Sequence, residues 1–576
     1  MVKKNTSRRS VIGGTLALAA AGCAGSRGPA SVRRVGAWPG RRQWDLLKDQ
    51  VGGRLIQPVS PWSGITGASI PKELSNPWYL EEQAGATQST GVFGAWNSVA
   101  SPYAVAAESS EDIVAAVNFA REHSVRLVVK GTGHDYFGRS CAPDSLLVWT
   151  HNMRAVTVHE DFRPVGASES VKGVQALSVQ AGNRWLEAYQ AATKAGRYVQ
   201  GGGCTSVGAC GGFALGGGFG SYSKRFGSGA GGVLEMEVIT ADGNIKIVNH
   251  YQNADLFWAL RGGGGGTFGV VSRMTLLTHP MPATDGWLHG SITAATDAGY
   301  RELIGRYVEL VAGALSNPSW GEGVTFLKGK NTLELGTSFL DLTVAEAERV
   351  WAPLLEPLRA RSSEFTVDAH FRVIPFKDKW NPDTNKGVVR DAREGAPAGY
   401  FWWAGNAVEV SAYWGGYQGR GVPMAAMQGD SAKVLADAFF NASRTSLILF
   451  QTNKALAGEH AEAASRDHET SLNPAVFANA GFATMADWVQ NKHVGVAGHE
   501  PDMALARQQC DAVDAAMRLL KAATPGGGSY VNEGHYAEAH WKEEFWGSNY
   551  SKLLSIKRKY DPTHLFHVHH GVGSDG

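Results

Sequence analysis

Apolar and polar positions along this chain follow rhythms that mark out its elements. Ser109 precedes Ile113, Val114, Val117 and Ala120, the spacing of one helical face, and Asp112 completes a capping-box pattern, so a helix is predicted to start there. A β-rich run over 125–129 breaks into Gly131-Thr132-Gly133-His134, which reads as a strand feeding a glycine turn. A second unit pairs strand-like alternation over 175–180 with a helical pattern over 185–195. A third runs over 233–240, turns at Asp242-Gly243 and returns over 245–248, a hairpin by its turn residues. A helix-like stretch over 254–260 then ends in the glycine run from Gly262 to Gly266, before a strand over 270–277.

After His279-Pro280-Met281-Pro282 the pattern changes. As far as about Lys521 the glycine runs disappear and strands alternate with longer amphipathic helices. Strands over 324–327 and 332–335 flank Gly329-Lys330-Asn331, and Thr343 with Glu346 caps a helix. Pro525-Gly526-Gly527-Gly528 marks a further boundary before an aromatic-rich end. Residues 28–94, rich in Pro, Gly and Ser, are expected to wrap irregularly over the surface. The expected organisation is a signal over 1–28, a lead-in over 29–95, a glycine-rich domain over 96–280, a second domain over 281–524 and a closing segment over 525–576. The fold class is α+β, and no internal repeat is visible.

Composition narrows the function. With 43% hydrophobic and 19% charged residues the chain is globular. Its 54 Lys and Arg against 53 Asp and Glu leave no global field for nucleic acid or an anionic membrane. Five scattered cysteines include no CxxC pair, which argues against structural zinc and a disulfide framework. Glycine is the outlier: 72 of 576 residues, one in eight, against about 7% ordinarily. Bare backbone is needed somewhere.

The N-terminus reads as a targeting segment. Lys3, Lys4, Arg8 and Arg9 precede an apolar stretch over 11–21 that is too short for ~30 Å of hydrocarbon. Ser7-Arg8-Arg9-Ser10-Val11-Ile12 resembles the signal read by the twin-arginine (Tat) machinery, which exports folded cargo. Cleavage after Ala21, or a lipid tether at Cys23 in a lipoprotein-like Ala20-Ala21-Gly22-Cys23 box, are the two alternatives. The expected location is periplasmic, extracellular or lipid-anchored at the cell surface, with no later segment long and apolar enough to span a membrane.

Two glycine segments carry the chemistry, Lys130-Gly131-Thr132-Gly133-His134-Asp135-Tyr136-Phe137-Gly138-Arg139-Ser140 and Gly201-Gly202-Gly203-Cys204-Thr205-Ser206-Val207-Gly208. Converging backbone N–H groups hold a pyrophosphate well, and only residues without Cβ bring them close. Neither segment gives the G-x-G-x-x-G pattern opening a helix, which disfavours a nicotinamide enzyme. Together with Tyr530-Val531-Asn532-Glu533, Trp546-Gly547-Ser548-Asn549-Tyr550 and Lys559-Tyr560-Asp561-Pro562, they resemble the berberine bridge enzyme-like flavin oxidases, of the vanillyl-alcohol oxidase or PCMH-type FAD superfamily. The resemblance covers roughly 93–277 and 529–573, in the family's order.

What the resemblance implies is an FAD held by the domain over 96–280 and attached at two points, His134 to the flavin 8α-methyl and Cys204 to C6. The thiolate is the reactive form of cysteine. It also implies that Gly131, Thr132, Gly133, Gly138, Arg139 and Ser140 wrap the pyrophosphate, that Gly203, Val207 and Gly208 lie by the ring, and that Gly269, Val270, Val271 and Asn549 line the cofactor. Cys210 stands where glycine or alanine is usual, and is read as a small packed residue. A base must face the ring. Strand alternation groups Tyr530 with Asn532, and Glu409 with Ser411 and Tyr413. Tyr530 is the first choice, with Tyr536 and Glu533 behind it, although His535 stands near where the family has an acid. Trp402, Trp403, Trp414 and Tyr417 are either a stacking wall or core, and the His567, His569 and His570 tract reads as ordered loop rather than metal site. The expected activity is oxidation of a small organic substrate (carbohydrate, aromatic alcohol or alkaloid-like), with O2 reoxidising FAD to give H2O2. The alternatives are a dehydrogenase with another acceptor and a catalytically silent binding protein.

Overall fold

The computed structural model describes residues 37–67 and 69–575. Arg8, Arg9, Ala21 and Cys23, with the expected export signal, lie outside the described residues.

Among the described residues three large sheets organise the fold, beside a two-stranded ribbon of Val388–Arg390 and Phe401–Trp403. A four-stranded sheet runs Leu55–Ile56, Tyr103–Ala106, Ser145–Trp149, Arg126–Lys130, the last three strands parallel. A helix over Ser110–His123 covers it, started by the expected capping box: Ser109 Oγ accepts from Asp112 N at 3.3 Å, and Asp112 Oδ2 accepts from Ser109 N at 3.2 Å. The second sheet contains the expected hairpin of Val233–Ile239 and Ile245–Val248, then Val270–Pro280, Val174–Gln180 and Val156–Phe162. Two strands emerge from these sheets into the glycine segments: Arg126–Lys130 leads to His134, and Arg197–Val199 leads to Cys204.

The third sheet has nine strands. Its order is Phe365–Pro375, Thr284–Ala294, Thr332–Leu340, Trp320–Phe326, Leu447–Gln451, Asn479–Gln490, Ala412–Pro423, Gly91–Val92, Trp96–Asn97. One face packs under helices Asp297–Leu310, Val344–Arg359, Gly429–Ser443 and Met503–Ala523, in a core holding Tyr307, Trp320, Trp351 and Phe450. At about 1.5–3 kcal/mol per large side chain, that burial fixes the helices on one side. The other face is left for a ligand.

The lead-in departs from the expectation of a surface wrap. Trp44 and Leu47 are buried on a helix over Arg41–Gln50, with Trp44 stacked on Tyr103 at 4.1 Å. Its last part supplies one strand of the nine-stranded sheet, Gly91 and Val92 pairing parallel with Tyr413 and Trp414 and antiparallel with Trp96 and Asn97 just beyond it. These elements are too short to leave a period in the sequence. Lys130 pins the same lead-in: its buried ammonium donates to the carbonyls of Gln83, Ala84 and Ala86 at 2.6–2.8 Å, and burial lowers it to about 7. The strand before His134 is thereby tied to the chain that joins the two domains.

The C-terminal segment closes the structure. Lys557, buried, donates to Asp561 Oδ2 at 2.5 Å and to the carbonyls of Thr267 and Phe566 at 2.7 Å. Trp546 Nε1 donates to Gly262 O at 3.0 Å, which seats the segment on the glycine run.

Candidate active site

A cavity of about 970 Å³ lies between the glycine segments and the open face of the nine-stranded sheet. That is at the upper end of the ~300–1,000 Å³ typical of ligand pockets. From the first segment it is lined by Gly131, Thr132, Gly133, His134, Arg139 and Ser140, and from the second by Gly203, Cys204, Val207 and Gly208. Gly269, Val270 and Val271 complete that side, and Glu409, Tyr530 and Glu533 reach it from the other.

The loop after the first strand is held by its own side chains. Asp135 Oδ1 accepts from the backbone N–H groups of Phe137 and Arg139, and its Oδ2 accepts from Arg139 Nε at 2.7 Å. Thr132 Oγ1 accepts from Gly208 N at 3.1 Å, joining the two glycine segments. A Cβ at Gly203, Gly211 or Gly212 would meet nothing within 4 Å, so bare backbone faces open space there. Three residues of the lining carry buried polar atoms without hydrogen-bond partners: Ser140 Oγ, His134 Nδ1 and Asn406 Oδ1. A cradle of bare backbone with unsatisfied polar atoms suits FAD.

Around His134 the contacts form a chain. Asn406 Nδ2 donates to Ser206 Oγ at 2.8 Å, and Ser206 Oγ is 3.0 Å from His134 Nε2. On the far side of the ring, Nδ1 stands 3.4 Å from Glu409 Oε1 without a formed hydrogen bond. Tyr136 donates to Glu409 Oε2 at 2.6 Å and stacks on Tyr417 at 4.5 Å. Beyond Tyr417, Lys454 binds both oxygens of Glu533 at 2.6 Å.

The electrostatics divide these groups. Burial raises Glu409, but His134, Tyr136 and Lys454 outweigh it and hold the carboxyl below its ordinary range. Tyr136 and Tyr417 are pushed well above the phenol range, chiefly by burial and then by Glu409 and Glu533. Cys204 lines the cavity, and burial followed by the neighbouring Glu409 pushes its thiol up. Burial first, and then the surrounding carboxylates, outweigh Lys454 there. Cys210, also at the wall, is 1% exposed and packs in the core of the glycine-rich domain.

Several expected site residues lie elsewhere. Gly138 does not line the cavity; its φ is +66°, and a Cβ there would run into the Trp96 ring, so the glycine serves close packing. Asn549 donates to Leu472 O at 2.7 Å, outside the cavity. Tyr536 stacks on His569 at 3.7 Å and does not reach it either. Tyr413 points away, its hydroxyl 3.9 Å from Met503 Sδ. The alternation that grouped Tyr413 with Glu409 fails because Ser411, at φ +56°, breaks the strand, which begins at Ala412.

Tyr530 does line the cavity, in a loop rather than a strand. Its oxygen accepts from Gly218 N and Asn532 Nδ2, and burial with Glu533 pushes it up, so it stays a phenol and is a poor base. Of the four stacking candidates, Trp403, Trp414 and Tyr417 line the wall and Trp402 does not. His569 and His570 stack on Tyr536 and Trp541. Among the described residues no group of three or more His, Cys, Asp or Glu is placed to hold a metal ion, and no helix is long and apolar enough to cross a membrane. Sequence reading missed Lys454, Ser206, Asn406 and the role of Tyr136. Tyr136 and Ser206 were within the quoted motifs; Lys454 and Asn406 reach the cavity only through the sheet and its connections.

The chain matches two family models, "FAD binding domain" over residues 101–249 and "Berberine and berberine like" over 529–573. It is 30% identical over 574 residues to the VAO-type flavoprotein oxidase VAO615 of Thermothelomyces thermophilus, covering 94% of this chain and 92% of that one. The crystal structure of VAO-type flavoprotein MtVAO615 from Myceliophthora thermophila C1 superposes with a TM-score of 0.75 at 28% identity, covering 93% and 96% of the two chains. A glucooligosaccharide oxidase from Acremonium strictum, whose FAD is described as 6-S-cysteinyl, 8α-N1-histidyl, shares the fold: TM-score 0.63, 20% identity, 88% and 97% covered.

Proposed function

Since the chain belongs to the VAO-type FAD-linked oxidases with a berberine-like C-terminal domain, we propose that it oxidises an alcohol or a C–N/C–H centre of a small organic substrate, with FAD attached through His134 and Cys204 and O2 reduced to H2O2. The observation that carries this reading is one cavity lined by both attachment residues and by several carboxylates, Glu409 and Glu533 among them. FAD, when bound, takes up two electrons from the substrate and gives them to dioxygen.

The chain's own residues do the rest. Gly131, Gly133 and Gly203 present backbone to the cofactor, and Ser140 Oγ offers it an unpaired hydroxyl. The cavity tyrosines are held as phenols. The proton lost by the oxidised centre therefore goes to a carboxylate, and Glu533 is the acceptor, with Lys454 steadying its charge at 2.6 Å. Tyr417 and Tyr530 bound the substrate beside it.

Of the three substrate classes, a hydroxylated, sugar-like molecule is supported best. Ser338 Oγ, Gln451 Oε1, Asn453 Oδ1 and Thr484 Oγ1 are buried without partners, in side chains that line the cavity from the sheet side. Such a row suits a ligand bearing several hydroxyls, because each unpaired buried atom costs about 1–3 kcal/mol until it is satisfied. Trp287, Trp380 and Trp403 add flat apolar walls. Screening sugars, aromatic alcohols and alkaloid-like amines for flavin bleaching under nitrogen, then for H2O2 in air, tests this. Bleaching by sugars with stoichiometric H2O2 is expected; bleaching by amines alone would overturn the substrate class, and bleaching without H2O2 would overturn the oxidase reading.

We further propose export through the Tat machinery, on the strength of Arg8-Arg9 and of a cofactor that must be attached in a folded protein. Replacing Arg8 and Arg9 by Lys is expected to retain the yellow protein inside the cell. Unchanged export would refute that route.

A further inference from the structure

The cations in the cavity wall are Lys130, Arg139, Arg372, Lys379, Lys386 and Lys454. Most are already satisfied. Lys130 is held by three carbonyls, Arg139 by Asp135, Lys379 by Asp285 at 2.7 Å and Lys454 by Glu533 at 2.6 Å. Among the described residues, Arg372 and Lys386 form no ion pair. Arg372 Nη2 donates to Thr384 O at 2.8 Å, which leaves the rest of the guanidinium's N–H groups for a ligand. Lys386 Nζ donates to the carbonyl of Asp383 at 3.2 Å, and the Asp383 carboxylate is taken by Arg390. These two cations are neighbours, because the bond to Thr384 holds Arg372 against the loop that carries Lys386 two residues further on. Pairing across the sheet sets Arg372 opposite Trp287 and Trp287 opposite Ser338, so the three share one row of the open face. The guanidinium carbon lies 5.4 Å from the centre of the Trp287 ring, and Ser338 Oγ is buried without a partner. Glu334, also in the wall, stands four residues along its strand from Ser338, about 13 Å at 3.3 Å per residue, too far to neutralise this row.

We propose that Arg372 and Lys386 form a subsite for a carboxylate of the substrate, so that the sugar oxidised here is acidic: an oligosaccharide bearing a uronate. The proposal rests on the reading of the substrate as sugar-like, and it names the charge that this substrate carries. A carboxylate matches the planar fork of an arginine, Lys386 adds a second positive charge, and Trp287 offers a flat face to the ring that bears the acid. Ser338 Oγ gains a hydroxyl partner in the same row. The length of the ligand follows from the sheet order. The strand of Arg372 and the strand that ends at Gln451 are four steps apart, about 19 Å at 4.7–4.9 Å per step. Lys454 follows Gln451 and holds Glu533. A ligand that keeps its carboxylate on Arg372 while losing a proton to Glu533 is therefore longer than one sugar ring, and its uronate lies away from the unit that is oxidised.

The test compares matched tetramers on the flavin-loaded full-length protein: galacturonate against galactose, mannuronate against mannose, and a 6-sulfated galactose tetramer as a third arm. Binding is measured by titration calorimetry and reaction by flavin bleaching under nitrogen. At least one acidic tetramer is expected to half-saturate at roughly 10-fold lower concentration than its neutral counterpart, as a charge-assisted contact gives, with the advantage shrinking as salt is raised. Arg372→Gln keeps a donor for Thr384 O and removes the charge, so the acidic-to-neutral ratio should fall toward one; Arg372→Lys should restore part of it. Lys386→Ala, in an exposed loop position, should lower the ratio by about 2- to 5-fold, and it carries the test if the Arg372 variants do not fold. Equal half-saturation of acidic and neutral tetramers by the wild type, or a ratio unchanged in Arg372→Gln, overturns the proposal while bleaching by the neutral tetramers leaves the sugar-like reading intact. Preference for the sulfated tetramer over both uronates overturns the carboxylate assignment. Acidic tetramers that bind through Arg372 but bleach no flavin would support the subsite and overturn the reading of the substrate, and tetramers that neither bind nor bleach would overturn both.

Discussion

Replacing Tyr136 by Phe removes one hydroxyl and leaves the ring stacked on Tyr417. The lost bond is the 2.6 Å donation to Glu409 Oε2, a charge-assisted contact between a half-buried phenol and a buried carboxylate. Such bonds are worth about 1.5–3 kcal/mol, which at 1.36 kcal/mol per pKa unit raises the Glu409 carboxyl by roughly 1–2 units. The sign follows from linkage. Glu409 is held below its unfolded value, so it stabilises the native state above about pH 4.3 and loses that contribution as pH falls through the native value. The variant should therefore be less stable than wild type by about 1.5–3 kcal/mol at pH 7, with the gap closing on acidification. Denaturant midpoints read by tryptophan fluorescence at pH 7, 6, 5 and 4 measure it, alongside Glu409→Gln and the double variant. A coupling of about 1–2 kcal/mol between the two positions is expected. A gap independent of pH, or strictly additive variants, would refute a charged Glu409 bound by Tyr136.

Other outcomes follow from the same geometry. Glu533→Gln should lower kcat by about 10²–10⁴ with FAD still attached; steady-state kinetics with kcat unchanged would remove Glu533 from proton transfer. Gly138→Ala should cost about 2–5 kcal/mol, from left-handed backbone and displacement of Trp96, and a thermal midpoint equal to wild type would contradict that packing. Lys557→Met leaves Asp561 and two carbonyls without their buried ammonium, at about 3–5 kcal/mol. Limited proteolysis should then cut the C-terminal segment first, and uniform resistance would show that Lys557 does not anchor it.

The parts of this fold that were legible in the sequence are those set by local chemistry. The Ser109 and Thr343 capping boxes formed with their expected Asp112 and Glu346 partners, and Asp242-Gly243 turned the hairpin it signalled. Both glycine segments line one cavity. What stayed hidden depends on distant partners. Lys454 follows a strand of the second domain, and nothing near it in sequence points to Glu533, 79 residues away. Strand alternation named Glu409 together with Tyr413; Glu409 lines the cavity and Tyr413 does not, because Ser411, at positive φ, breaks the strand between them. The lead-in looked irregular because its elements are short, although it carries a strand of the largest sheet, Gly91–Val92.

The central claim is that one cofactor is held by two side chains from two glycine segments. Acid precipitation, proteolysis and mass mapping of the wild-type protein test it most directly. The expected result is a single flavin joining the His134 and Cys204 peptides. FAD released to the supernatant, with both peptides at their unmodified masses, would contradict it.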